Sequence, residues 1–87
     1  SGVSTGFVRV VRELDDIGLI KEGEILVAPQ TDIGWSPAFS TISGLVTEIG
    51  GLLSHGAVCA RELALPCVVG VPNACGRFKT GQLVRLD

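Results

Sequence analysis

The chain has 87 residues, 46% apolar and 18% charged, which suits one small folded domain, leaves too little chain for a second core, and is too apolar for disorder. No apolar run approaches the length of a membrane span, and no stretch reads as a secretory signal. Seven Lys and Arg against nine Asp and Glu give a net charge of −2; the basic residues are scattered singly, so neither a nucleic-acid nor a membrane partner is expected.

In chain order, Gly6–Val11 alternates and is rich in β-branched residues, which predicts a first strand. Arg12–Ile17 is polar and reads as a loop or short helical turn, and Gly18–Gly23 as a turn. Glu24–Ala28 is an apolar run stopped by Pro29 and predicts a buried strand. Thr31–Ser40 predicts a short helix starting near Asp32, its length limited by Pro37. Gly44–Glu48 is a third strand, stopped by Gly50–Gly51. Ser54 stands where a helix N-cap belongs, and His55–Leu63 predicts a helix. Ala57, Ala60 and Ala64 share one face of that pattern, small enough for close packing on a sheet. Cys67–Val71 and Gln82–Leu86 complete five predicted strands. Mixed strands and helices, with at least one strand–helix–strand unit, place the chain in the α/β (α+β) class. The many short elements fit its twelve glycines.

Several familiar sites are excluded by context. Gly2-Val3-Ser4-Thr5-Gly6 matches the G-x-S-x-G nucleophile elbow, and Ser4, Asp32 and His55 follow that order. The elbow, however, needs a strand before it and a helix after it, and here it runs into a strand. No G-x-G dinucleotide fingerprint occurs, and Lys79-Thr80 lacks P-loop spacing. Cys59, Cys67 and Cys75 form no C-x-x-C pair. With a single His they do not make a closed metal site, and the odd count fits free thiols in a reducing, cytoplasmic setting. Trp35 reads as a packing residue.

The chemistry concentrates in Glu48–Gly70. His55 follows a Gly-Gly turn and a hydroxyl residue at a predicted helix start. Neutral imidazole is a competent nucleophile, and a helix N-terminus offers unpaired N–H groups and a favourable dipole for an anion. Together these suit a histidine that accepts a phosphoryl group. Gly56 is expected to leave room for the phosphorylated ring or an approaching substrate. Arg61, nearly two turns on, reaches a phosphate only if the loop folds back, with Glu62 and Glu48 as competing ion-pair partners.

The ordered run Gly50-Gly51-Leu52-Leu53-Ser54-His55-Gly56-Ala57-Val58-Cys59-Ala60-Arg61 resembles G-G-x-x-[ST]-H-x-A-[IV]-x-A-R. That is the motif of the phosphohistidine (mobile, or swivelling) domain of the phosphoenolpyruvate-utilising enzymes. Leu65-Pro66-Cys67-Val68-Val69-Gly70, Gly23–Ala28, Thr31-Asp32 with Trp35, and Gly81–Asp87 resemble its flanking segments. The resemblance therefore covers nearly the whole chain. It implies a compact β/β/α swivelling domain over residues 1–87, cut from a larger multidomain enzyme. It implies that His55 is the phospho-acceptor, with Gly50, Gly51, Ser54, Gly56 and Arg61 supporting it. The partners implied are an ATP-grasp nucleotide-binding domain and a pyruvate- or phosphoenolpyruvate-binding domain of the same polypeptide. Mg²⁺ and ATP would be bound there, with no cofactor or metal held by this chain.

The pattern looks most like phosphoenolpyruvate synthase. The alternatives are the same relay in a rifampin-type phosphotransferase or a sugar phosphotransferase system enzyme, or a non-catalytic docking module. Leu53 replaces the regulatory Thr of pyruvate phosphate dikinases, and Ile33 the usual Pro of T-D-P-x-W.

Overall fold

A computed structural model describes residues 3–51 and 54–87. Gly2 of the G-x-S-x-G string, and Leu52 and Leu53 of the His-centred motif, lie outside the described residues. Five strands form one sheet: β1 (Ser4–Val10), β2 (Ile25–Ala28), β3 (Gly44–Thr47), β4 (Cys67–Val68) and β5 (Leu83–Leu86), in the order β4-β3-β2-β1-β5. β1, β2, β3 and β4 pair in parallel, and β5 closes the edge antiparallel to β1.

The two central strands are buried along their full length, because helices cover both faces of the sheet and leave no polar side for alternation. Leu26, Ala28 and Leu45 face one side, in a core with Val11, Trp35, Ala38, Phe39 and Ile42. Ile25, Val27 and Val46 face the other, with Val8, Ala74, Cys75 and Leu86. α1 (Ser36–Phe39) and α2 (His55–Glu62) lie on the first face and α3 (Ala74–Arg77) on the second. The mixed α/β class is thus as the sequence predicts.

Four details differ from the sequence reading. The loop before β2 contains a 3-10 turn over Leu14–Leu19, which extends into the segment read as a turn. Pro37 opens α1 instead of limiting it: it occupies the first helical turn, where its missing N–H has no partner to lose. β4 stops at Val68, after which the chain turns so that Val71 N–H bonds the Thr47 carbonyl at 3.0 Å. α3 is absent from the sequence prediction; it is a four-residue helix containing Gly76, and its N-cap residue Asn73, in the left-handed region, makes no side-chain capping bond.

Ala64 is also displaced from its expected role. Ala57 and Ala60 are buried under α2, but Ala64 is exposed, beyond the helix, at φ +56°. Leu65 N–H bonds the Ala60 carbonyl and Ala64 N–H the Arg61 carbonyl, the bond pair of a Schellman stop, which usually has glycine at this position. Ala64→Gly removes a left-handed strain of about 1–2 kcal/mol and returns about 0.4–1 kcal/mol to the unfolded chain. The expected result is a gain of about 0.5–1 kcal/mol in urea unfolding; a loss of stability contradicts it.

Candidate functional site

β2 and β3 are adjacent and parallel, so the segments leaving their C-terminal ends emerge side by side. In open α/β sheets that edge is where ligand sites form. The β2 exit delivers Thr31, and the β3 exit runs through Gly50 to α2. Gly50 holds φ +133°, and a Cβ there would stand 3.0 Å from Ser54 Oγ. Glycine therefore lets the turn close against the cap. Ser54 Oγ accepts from Ala57 N–H at 3.3 Å and donates to the Gly51 carbonyl at 2.8 Å, as an N-cap should. Gly51 stands in open space at an ordinary φ, so its place in the turn has no such steric cause.

His55 is the first residue of α2 and half-buried. Its ring lies edge-on to Phe39, centroids 5.8 Å apart at 68°, a favourable aromatic geometry. Nδ1 is 3.3 Å from Thr31 Oγ1, and Nε2 is 3.3 Å from Cys59 Sγ. Three elements thus fix the imidazole: the β2 exit, α1 and the next turn of its own helix. Gly56 is buried, and a Cβ on it would stand 2.8 Å from Thr31 Oγ1 and 3.1 Å from Leu45 Cδ2. Its missing side chain is therefore filled by Thr31 and the core, not held open for a phosphorylated ring as expected. A cleft of about 170 Å³ is bounded by Ser36, Phe39, Cys59, Glu62 and Leu63.

Arg61 is exposed in the last turn of α2, about 9 Å along the helix axis from His55. Glu48, one of its two proposed ion-pair partners, instead accepts from Cys75 N–H at 2.9 Å. Ser4 of the G-x-S-x-G string is in β1 and pairs with Leu86. Asp32 accepts from Gly34 N–H at 2.9 Å to start the 3-10 turn Ile33–Trp35, and Trp35 is in the core.

The sequence reading did not single out Thr31, Phe39 and Cys59 as site residues. Cys59 carried a signal, since positions i and i+4 share a helix face, and Thr31 lay in a flanking motif segment. Phe39 carried none. All three cysteines are free. Burial pushes the Cys67 thiol up; burial, with the Glu48 carboxylate, pushes Cys75 up to about 11. Among the described residues no three His, Cys, Asp or Glu side chains converge as a metal-ligand set. No helix among them is long and apolar enough to cross a membrane.

Comparison with known proteins gives a consistent result. The family described as "PEP-utilising enzyme, mobile domain" matches residues 20–87. A rifampicin phosphotransferase of Bacillus cereus is 54% identical over 86 residues, 99% of this chain and 10% of that protein. A phosphoenolpyruvate synthase of Deinococcus radiodurans is 43% identical over 87 residues, 100% of this chain and 11% of that protein. A solution structure of Enzyme I (nEIt) superposes with TM-score 0.69 and 30% identity, covering 83% of this chain and 30% of that one. The chain thus spans about a tenth of the length of these two curated relatives.

Proposed function

Because the chain belongs to the mobile-domain family of the PEP-utilising enzymes, we propose that it carries a phosphoryl group on His55 between two other domains of a longer phosphotransferase. The observation that carries this reading is the position of the ring. His55 begins an eight-residue helix capped by Ser54, inside the family's His-centred motif. Imidazole attacks the phosphorus in line. A nitrogen–phosphorus bond forms as the bond from phosphorus to the donor's bridging oxygen breaks, and the electron pair leaves with that oxygen. The first N–H groups of α2 and its dipole favour the resulting dianion.

Gly50 and Ser54 shape the start of α2, Gly56 lets it settle on Thr31 and Leu45, and Gly51 completes the turn. Arg61 supports the site from the far end of the same helix and reaches the phosphoryl group only if its side chain folds back along α2. The donor is ATP, held with Mg²⁺ on an ATP-grasp domain, and the acceptor is bound on a further domain; the setting is cytoplasmic.

Pyruvate is the acceptor in the synthase-like reading. The higher identity to rifampicin phosphotransferases favours a second one, a hydroxylated drug. The full-length protein is incubated with Mg-ATP and either pyruvate or rifampicin, and products are read by phosphorus NMR. One of the two acceptors is expected to become phosphorylated. Phosphorylation of neither, with ATP still hydrolysed, contradicts both acceptor readings.

A further inference from the structure

We propose that His55 and Cys59 form a two-ligand site for a thiophilic divalent cation, zinc being the type, and that a cation held there blocks the imidazole. Cys59 stands four residues after His55 on α2. At that spacing one helix face presents two ligands to one metal, as in the H-E-x-x-H pattern. The donor atoms already meet, with Nε2 3.3 Å from Sγ. Zinc bonds of about 2.05 Å to nitrogen and about 2.3 Å to sulfur, opened to a tetrahedral angle, put the two donors about 3.6 Å apart. The pair therefore needs to open by only about 0.3 Å to admit the ion. Cys59 is half-buried and borders the cleft beside α2, so a hydrated ion can approach the sulfur from solvent.

The thiolate is the ligand, so binding forms one sulfur–metal and one nitrogen–metal bond and releases the thiol proton to solvent. Sulfur with imidazole selects zinc-class ions over Mg²⁺, which takes oxygen ligands. Mg-ATP therefore does not compete for the pair. Among the described residues no third His, Cys, Asp or Glu side chain completes the set, and water fills the remaining positions. Binding is then reversible and weaker than at a closed structural site. The other thiols have no imidazole to pair with: His55 is the single histidine, and the Cys75 sulfur faces the Val27 carbonyl. A ring nitrogen bonded to a metal has no lone pair left for phosphorus. That consequence rests on the carrier reading of His55; the metal site itself does not.

The probe is Co²⁺, which adopts zinc-like geometry and reports a thiolate ligand by a charge-transfer band in the near ultraviolet. The full-length protein is titrated with Co²⁺ at neutral pH beside Cys59→Ser and His55→Gln, with circular dichroism to confirm that each is folded. The wild type is expected to show the band and Cys59→Ser to lose it. His55→Gln is expected to bind at least about tenfold more weakly, since loss of even an outer-shell partner costs that much. A wild type without the band in excess Co²⁺ overturns the proposal. So does a band that survives Cys59→Ser, or a midpoint unmoved in His55→Gln. Zn²⁺ is expected to displace Co²⁺ and abolish the band, and to prevent charging of His55 by phosphoenolpyruvate with Mg²⁺ in excess; charging that proceeds in the zinc-loaded protein overturns the block. The carrier reading fails separately, if the metal site behaves as described and the zinc-free protein still takes up no phosphoryl group on His55.

Discussion

Replacing His55 by alanine in the full-length enzyme is expected to lower phosphoryl transfer at least about ten-thousand-fold, as loss of a covalent nucleophile does. The fold is expected to survive. The ring is half-buried and its clearest packing partner is Phe39, 5.8 Å away, an aromatic contact worth about 0.5–1.5 kcal/mol. The sheet, both cores and the Ser54 cap do not depend on it. The measurement is steady-state turnover beside thermal unfolding. Retained turnover in a folded His55→Ala protein removes the histidine from the reaction path. His55→Gln, which keeps much of the bulk, is expected to be equally inactive and nearer to wild-type stability, so the chemical and packing contributions separate.

The second large effect is expected at Leu45. This β3 residue is fully buried, in one core with Leu26, Trp35 and Phe39, and its Cδ2 forms part of the floor under Gly56 at the start of α2. Leu45→Ala removes three heavy atoms and leaves a cavity that central strands cannot readily collapse, at a cost of about 2–5 kcal/mol. A domain of this size has about 4–13 kcal/mol in total. The urea midpoint should fall steeply, and the change should reach the His55 site, because the void opens beneath its helix. A loss under about 1 kcal/mol would show that the site's floor is not packed as described.

Much of this arrangement can be read from residue order. Glu24–Ala28 and Gly44–Glu48 read as buried strands because unbroken apolar runs bounded by Gly and Pro have few other uses. Ser54 announced the helix start because its side-chain oxygen is suited to the N–H groups there. The His-centred motif pointed to the family and singled out His55 as the proposed carrier. What was not legible depends on contacts distant in sequence. Thr31 and His55 are 24 residues apart and meet through the 3.3 Å contact only because two parallel strands end together. Gly56 read as spare room; the room is taken by Thr31 and Leu45, which only packing reveals. Ala64 matched the helical spacing of Ala57 and Ala60, yet α2 stops before it through backbone bonds to Ala60 and Arg61. α3 is four residues long, carries Gly76 and is held by Ala74 and Cys75 in the second core, a tertiary cause that the single Asn73 before it does not announce.

The most direct test of the account is the chemical identity of the charged species. The full-length protein is incubated with Mg-ATP, and separately with phosphoenolpyruvate, then analysed by intact mass, phosphorus NMR and peptide mapping. The account predicts one acid-labile, alkali-stable phosphoryl group, on His55. A folded, nucleotide-binding protein in which His55 stays unmodified with both donors, or a phosphoryl group found on another residue, would contradict it.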